Sequence, residues 1–331
     1  MERNQSMRTK ISVMCLAFAA AIVGVGLPAV SQAADAKPRI VFLTPVTNDF
    51  FIPVAAGLKA AAAQFGWDFQ FLGPPTYDAG KEADLMLTAI RSKPDAIAVA
   101  FADPEAFKKP VQEAQAAGII VLGYNTDVPS TGRLAYVGQD HEVAGKAAGE
   151  RMLRLLKERN LTKGGIILSA QNFGNVAQDL RMKGFKSAFA NTPYRVEMLG
   201  AGTTDSQYIG SLEAQYKAIP EVVGIFGVDV MSKNIATFVE KNKLGGKLVT
   251  GGWNQTDVHL EAIKNGMMDF TVGQNPFLQG YLPVVLAHIK KTYGYSPVDI
   301  DTGAEVVDKT NVVDVIARES KWKELSKTKW Y

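Results

Sequence analysis

The chain has little cysteine and little histidine, and it lacks a strong excess of charge of either sign. Its 331 residues include one cysteine, Cys15, and three histidines. A single cysteine cannot form an intramolecular disulfide, so the fold must depend on its hydrophobic core. Lysine and arginine number 36 against 33 acidic residues, which gives no electrostatic reason to expect a nucleic-acid partner.

Common catalytic and cofactor motifs are also missing. No G-x-G-x-x-G follows a β-rich run, and neither a P-loop nor a G-x-S-x-G motif occurs. The histidines His141, His259 and His288 show no metal-ligand spacing, and we interpret them as helix-surface or packing residues. The sequence therefore predicts a protein without a metal or cofactor, and not an enzyme.

A basic start and a long uncharged run open the chain. Arg3, Arg8 and Lys10 precede residues 11–30, which carry no charge, and Ala33 ends a short stretch of small and polar residues. This order predicts a signal peptide over residues 1–33 and export to the periplasm. A membrane anchor is the alternative, but alanine and glycine dominate the run and Pro28 interrupts it.

Short β-rich runs alternate with helical stretches along the rest of the chain. Residues 51, 54, 58 and 65, all apolar, share one helix face after the first run. Such alternation predicts an α/β fold of doubly wound parallel sheets. The predicted strands are residues 40–43, 96–100, 119–123, 166–169, 222–226, 247–250 and 270–272, each followed by a helix.

The length favours two domains of similar size. The alternation of predicted strands and helices is interrupted at residues 131–142, which we interpret as a loop that passes between two lobes. Because no flexible linker separates the halves, we expect a tight hinge.

Polar and aromatic residues cluster just after the predicted strands, where doubly wound sheets place their ligand crevice. Amides, a few carboxylates and one arginine can hold neighbouring hydroxyls, and aromatic rings can cover the apolar face of a sugar ring. Few of these residues are cationic, so the predicted ligand is a small, neutral, polyhydroxylated molecule. The candidate binding residues are Asn48, Phe50, Phe51, Asn125, Thr126, Asp127, Arg181, Asp229, Trp253, Asn254 and Gln274.

Structural roles are the alternative for several candidates. Asn48 and Asp229 are also suited to capping helices, as Asp103 before Pro104 is. Phe50 and Phe51 are suited to a core, Trp253 to the wall of a site, and Arg181 to a solvated surface. A sugar hydrolase would need paired carboxylates, such as Asp229 with Asp127 or Asp205.

The same motifs, in the same order, resemble periplasmic sugar-binding proteins of the ribose, xylose and autoinducer-2 type. The resemblance rests on residues 47–51, 118–127, 181–185, 220–229, 252–254 and 274–280, and residues 302–307 resemble the xylose and autoinducer-2 relatives. It implies a type I, cluster B periplasmic binding protein with two Rossmann-like lobes joined by a three-segment hinge. The implied lobes are residues 34–139 plus 275–303 and residues 140–274 plus 304–331.

The resemblance also implies roles and partners. Asn48, Arg181, Asp229, Asn254 and Gln274 would bind hydroxyls, and Phe50 and Phe51 would stack on the sugar ring. Ribose itself is not favoured, because Asn125-Thr126 replaces the Asp-Arg pair of ribose binders and a stacking phenylalanine is missing near residues 203–205.

The expected function is the delivery of a monosaccharide or polyol to the permease of an ABC importer. The protein is expected to act as a monomer. A receptor for a chemoreceptor or sensor kinase, or a binder of a furanosyl signal such as autoinducer-2, is the alternative.

Overall fold

The structure, a computed structural model, describes residues 36–325. The predicted signal peptide and Cys15 lie outside the described residues. Within the described residues, no helix combines the length and apolarity needed to cross a membrane.

A first six-stranded sheet is built from the N-terminal part of the chain and one late strand. Its strands are β1 (Arg39–Leu43), β2 (Asp68–Leu72), β3 (Ala96–Val99), β4 (Ile120–Tyr124), β5 (Ala135–Gly138) and β11 (Ile300–Asp301). They lie in the order β11-β5-β4-β3-β1-β2, and every neighbouring pair is parallel.

A second six-stranded sheet follows in the chain. Its strands are β6 (Gly164–Ala170), β7 (Tyr194–Gly200), β8 (Val222–Gly227), β9 (Val249–Trp253), β10 (Phe270–Gly273) and β12 (Glu305–Asp308). The order is β12-β10-β9-β8-β6-β7, parallel except for the antiparallel edge strand β12.

Ten α-helices in the described residues cover both faces of these sheets. They are α1 (Ile52–Phe65), α2 (Ala79–Arg91), α3 (Pro104–Ala116), α4 (His141–Glu158), α5 (Val176–Ala188), α6 (Asp205–Ala218), α7 (Asn234–Lys241), α8 (Asp257–Lys264), α9 (Pro276–Tyr293) and α10 (Val312–Leu325). Four buried apolar clusters, one on each face of each sheet, form the cores. The prediction of two doubly wound α/β lobes is confirmed.

Helices α1 and α9 lie in unusually close contact on the first sheet. Gly57 and Gly280 make this contact possible, because a Cβ atom at Gly280 would lie 1.8 Å from the carbonyl oxygen of Val54. A segment from late in the chain therefore completes the core of the first lobe.

The chain crosses between the sheets three times. The crossings lie at residues 138–141, between β5 and α4, at residues 273–276, between β10 and α9, and at residues 301–305, between β11 and β12. The lobe limits given above stay a prediction. Helix α10 packs against α1 of the first lobe as well as α8 of the second.

Each of the seven predicted strands overlaps an observed strand, but two details of the prediction are wrong. Residues 135–138, read as part of a loop, form β5. The strand that ends at Tyr124 is followed by a short 3-10 turn (Pro129–Thr131) and β5, and not by a helix. The predicted apolar helix face, from Phe51 to Phe65, lies against the core.

Candidate functional site

A cavity of about 270 Å³ lies at the carboxyl ends of strands from both sheets. The loops after β1 and β4 line it from the first lobe, and α5 with the segments after β8 and β9 lines it from the second. The structure brings nine of the eleven candidate residues to its wall, namely Asn48, Phe50, Phe51, Asn125, Thr126, Arg181, Asp229, Asn254 and Gln274.

The loop after β1 presents two phenylalanines in different environments. Asn48 caps a 3-10 turn, since its Oδ1 accepts a hydrogen bond from the Phe50 amide at 3.1 Å. The Phe50 and Phe51 rings meet edge to face, with their centroids 5.0 Å apart. Phe51 is buried and packs against Tyr124, whereas Phe50 is half-buried at the cavity. The capping alternative for Asn48 is therefore confirmed, and Phe51 belongs to the core as well as to the cavity wall.

Asn125 lies directly after β4 in the left-handed region, with φ at 61°. Its Nδ2 donates to Gln279 Oε1 at 3.1 Å and to Gln274 Oε1 at a longer 3.4 Å. The amide of Asn125 thus ties the first lobe to the crossing at residues 273–276.

Arg181 is buried beneath the cavity, so the solvated-surface alternative is wrong. Its guanidinium donates to the Val228 carbonyl at 3.0 Å and to Gln274 Oε1 at 3.3 Å. A further contact of 3.3 Å joins it to His141 Nδ1. Its Nε has no partner within the described residues, and burial lowers the pKa of Arg181 to about 10. At least one guanidinium donor, the Nε–H group, is therefore without a protein acceptor among the described residues.

Trp253 does not line the cavity but supports it. It is the last residue of β9 and is fully buried. The Arg181 guanidinium lies over its ring, so Trp253 lies behind the cavity and is neither one of its lining residues nor part of its wall.

Asp229 is the buried carboxylate of the cavity. It caps the 3-10 turn after β8 by accepting from the Met231 amide at 2.8 Å, and its other oxygen accepts from the Gln171 amide at 2.5 Å. Burial raises the pKa of Asp229 to about 6, although both amide bonds and the nearby Arg181 charge oppose that rise.

Asn254 and Gln274 complete the second side of the cavity. Gln274 Nε2 donates to Asn254 Oδ1 at 2.7 Å. The Gln274 carbonyl accepts from Gln279 Nε2 at 2.8 Å and from the Thr302 hydroxyl at 2.9 Å. These bonds fix Gln274 within the second crossing and join it to the third.

Asp127 lies away from this cavity. Its carboxylate forms an ion pair with Arg133, which also bonds Asp299 at 2.7 Å. Asp205 pairs with Lys233 at the start of α6, and it too is absent from the cavity wall. The two carboxylate pairs considered for a sugar hydrolase, Asp229 with Asp127 and Asp229 with Asp205, are therefore not brought together at this cavity.

Among residues 36–325, no cluster of three or more acidic, histidine or cysteine side chains is arranged to hold a metal ion. His141 and His259 are buried packing residues, and His288 accepts a hydrogen bond from Trp67 Nε1 at 3.2 Å.

Comparison with known families agrees with the two-lobed fold and the cavity described above. A family model described as a periplasmic binding protein domain matches residues 40–291. The chain belongs to this family.

Relatives of this binding protein include a xylose/arabinose-binding protein of Sulfolobus acidocaldarius, 30% identical over 83% of this chain and 72% of the relative. A solute-binding protein of an ABC transporter from Burkholderia graminis, solved with D-arabinose, superposes with a TM-score of 0.77 at 26% identity, over 84% of this chain and 97% of that one. A second solute-binding protein of an ABC transporter, from Agrobacterium vitis and solved with α-D-tagatopyranose, superposes with a TM-score of 0.76 at 28% identity, over 85% of this chain and 98% of that one.

Several residues that the sequence analysis missed also line the cavity of this binding protein. Gln171 follows the last residue of β6, so the rule that found the other residues applies to it as well. Tyr77 follows β2, a strand that was not predicted. Asn175, Gln178 and Asp103 also line the cavity; Asn175 and Asp103 cap α5 and α3.

Proposed function

We propose that this protein is the extracytoplasmic sugar-binding component of an ABC importer, and that it takes a monosaccharide or polyol. The observation that carries the proposal is the convergence of amide, carboxylate and guanidinium side chains from both lobes on one cavity beside Phe50. The sugar ligands named for its relatives support the same ligand class.

The donors and acceptors of the cavity suit a ring with several hydroxyls. Asp229 and the amide oxygens accept hydrogen bonds, whereas the free Nε of Arg181 donates. The volume of about 270 Å³ is near the low end of small-molecule sites. With one buried cation and one buried carboxylate in the cavity, a neutral ligand is favoured over a phosphate.

Lobe closure supplies the mechanism. Asn48, Phe50 and Asn125 belong to the first lobe, and Arg181 and Asp229 belong to the second. A ligand that contacts both sets stabilises the closed form through contacts that the open form lacks. The closed form would then be recognised by the membrane permease, with no bond made or broken in the ligand.

A thermal-shift panel tests the proposal. We expect one compound among D-xylose, L-arabinose, D-arabinose, D-ribose, D-tagatose and myo-inositol to raise Tm by several degrees, because a ligand that binds the native state alone stabilises it. Recovery of the compound unchanged would agree with transport rather than catalysis. If none of these compounds shifts Tm, the assignment of these one-ring sugars and polyols as ligands is wrong.

The sensory-receptor and furanosyl-signal alternatives use the same cavity. Autoinducer-2 belongs in the same panel, and a larger shift by it than by any sugar would favour the signal-binding alternative. A receptor for a chemoreceptor or sensor kinase would give the same sugar response and differ in its protein partner.

A further inference from the structure

A second cavity, of about 510 Å³, adjoins the proposed sugar site. Phe50, Asn254 and Gln274 line both cavities, so the two meet at these side chains. Glu319 and Trp322 of α10 line the second cavity from another side. Because α10 contacts helices of both lobes, the second cavity is bordered by both lobes, as the first is.

Trp322 gives this cavity an aromatic wall. Its indole Nε1 donates to Glu319 Oε2, which holds the ring in place. Trp67 and Trp253 are buried, whereas Trp322 is the tryptophan of residues 36–325 that stays partly exposed. A fixed, partly exposed aromatic face is suited to the apolar side of a sugar ring.

Gln255 adds a hydrogen-bond acceptor that receives no hydrogen bond from the described residues. Its Nε2 donates to Glu305 at 2.6 Å, but its Oε1 is shielded from solvent and has no hydrogen-bond partner within the described residues. Gln255 lines the second cavity. A ligand hydroxyl placed there would satisfy this buried oxygen.

We propose that the second cavity is a subsite for a second sugar ring, so that a disaccharide or a glycosylated polyol, whose first ring is the monosaccharide or polyol of the proposed function, binds more tightly than that first ring alone. One ring would occupy the cavity beside Arg181, and the other would stack on Trp322. The proposal rests on the proposed function and extends it. The pairing of an aromatic face with amide and carboxylate groups in the second cavity repeats the chemistry of the first.

Calorimetric titration of the full protein with matched one-ring and two-ring ligands tests the subsite. The pairs are D-xylose with xylobiose, D-galactose with β-1,4-galactobiose, and myo-inositol with galactinol. For at least one pair we expect the two-ring ligand to bind about tenfold more tightly, because it gains a stacked ring and new hydrogen bonds.

Two variants test whether the tighter binding of the two-ring ligand comes from the second cavity. Trp322→Ala removes the aromatic wall, and Val258→Arg fills the cavity from a side chain that is 53% exposed and so leaves the core intact. Both should abolish the two-ring advantage and change one-ring affinity less than about twofold. Tyr295→Ala is the control, since Tyr295 is 71% exposed and lines neither cavity.

The possible failures are distinct. If one-ring sugars bind and no two-ring ligand in the three pairs binds more tightly than its one-ring partner, the subsite is overturned and the proposed function stands. A two-ring advantage that persists in both variants would place the second ring elsewhere and would also overturn the subsite. If no sugar in either panel binds, the proposed function itself is wrong, and the subsite with it.

Discussion

The guanidinium carbon of Arg181 lies 4.5 Å from the centroid of the Trp253 ring. Arg181 reaches this position from α5, and Trp253 ends β9, so the contact joins two elements of the second lobe. The contact, with hydrogen bonds to neutral acceptors, holds the arginine without an ion pair among the described residues. Its donors are therefore oriented before a ligand arrives, which lowers the entropic cost of binding.

Replacing Arg181 should separate binding from folding. Arg181→Ala removes a buried charged donor, and we expect sugar affinity to fall by about 10- to 100-fold while a cooperative thermal transition is retained. Arg181→Lys should recover little, because a lysine lacks the planar group that reaches several acceptors and stacks on Trp253. Calorimetry gives the affinities, and unchanged affinity in Arg181→Ala would remove this residue from the site.

The two phenylalanines after β1 provide a matched pair. Phe50→Ala should weaken sugar binding more than it lowers Tm, because its half-buried ring faces the cavity. Phe51→Ala should lower the free energy of unfolding by about 3–5 kcal/mol, because its buried ring packs against Tyr124. Parallel calorimetry and chemical unfolding measure both effects. A loss of stability without a loss of affinity in Phe50→Ala would show that Phe50 is a core residue.

Sugar affinity should depend on pH through Asp229. Its pKa is about 6 in the folded protein without ligand, and a ligand hydroxyl that donates to the carboxylate favours the ionised form. Affinity should therefore fall as the pH drops through 6, to about tenfold weaker at pH 5 than at pH 8. Asp229→Asn should bind more weakly and show a flat profile, and a wild-type profile that is already flat would contradict this role.

The stability of the unliganded protein should change with pH in the opposite direction through the same group. The folded-state pKa of about 6 lies above the ordinary 3.8, so protonation of Asp229 favours the folded state. That contribution is fully present below about pH 3.8 and is lost as the pH rises through 6. The difference in unfolding free energy between wild type and Asp229→Asn, measured at pH 4 and pH 7, isolates this effect from the other carboxylates.

Gln279 should be required for full sugar affinity and stability, although it does not line the first cavity. It is fully buried in α9 and bonds both the Gln274 carbonyl and the Asn125 amide. Gln279→Ala should lower stability by about 1–3 kcal/mol and should also weaken sugar binding, because both partners lose a bond that positions them. Gln112→Ala, at an exposed position of α3, is the control. Normal sugar affinity in Gln279→Ala would restrict this residue to a role in stability.

Two glycines should respond to alanine with opposite sign. Gly280→Ala would place a methyl group against the Val54 carbonyl, and we expect a loss of about 1–3 kcal/mol as α1 and α9 separate. Gly210→Ala lies in α6 with open space around the added Cβ, and we expect a gain of about 0.4–1 kcal/mol. Urea unfolding of both variants checks the contrast, and equal effects would show that the α1–α9 contact can adjust.

The strands that sequence analysis found and those it missed differ in their place in the sheets. All seven predicted runs form strands, all seven lie inside the sheets, and nearly all their residues are buried. β2, β7, β11 and β12 are the edge strands, and their partly exposed residues weaken the apolar signal. The interior strand β5 is fully buried and no shorter than β3 and β10, and it was missed because the stretch around it was interpreted as a loop between the lobes.

The site was predictable to the extent that it depends on chain position. Residues just after the interior strands reach the cavity because the sheet topology brings those ends together. Whether a side chain points into the cavity depends on its partners, and Asp127 turns away to Arg133. His141 and Gln279 contact the site residues through packing at the crossings, which no local pattern shows.

The α1–α9 contact has a consequence for the order in which the lobes form. Val284 and Ala287 of α9 belong to the core cluster that also contains β1 and α1. A nascent chain that ends at Gly273 would hold all the interior strands of the second sheet, yet lack the helix that completes the first core. Although domains usually fold in the order of their synthesis, here the lobe that begins first is completed only after the interior of its partner.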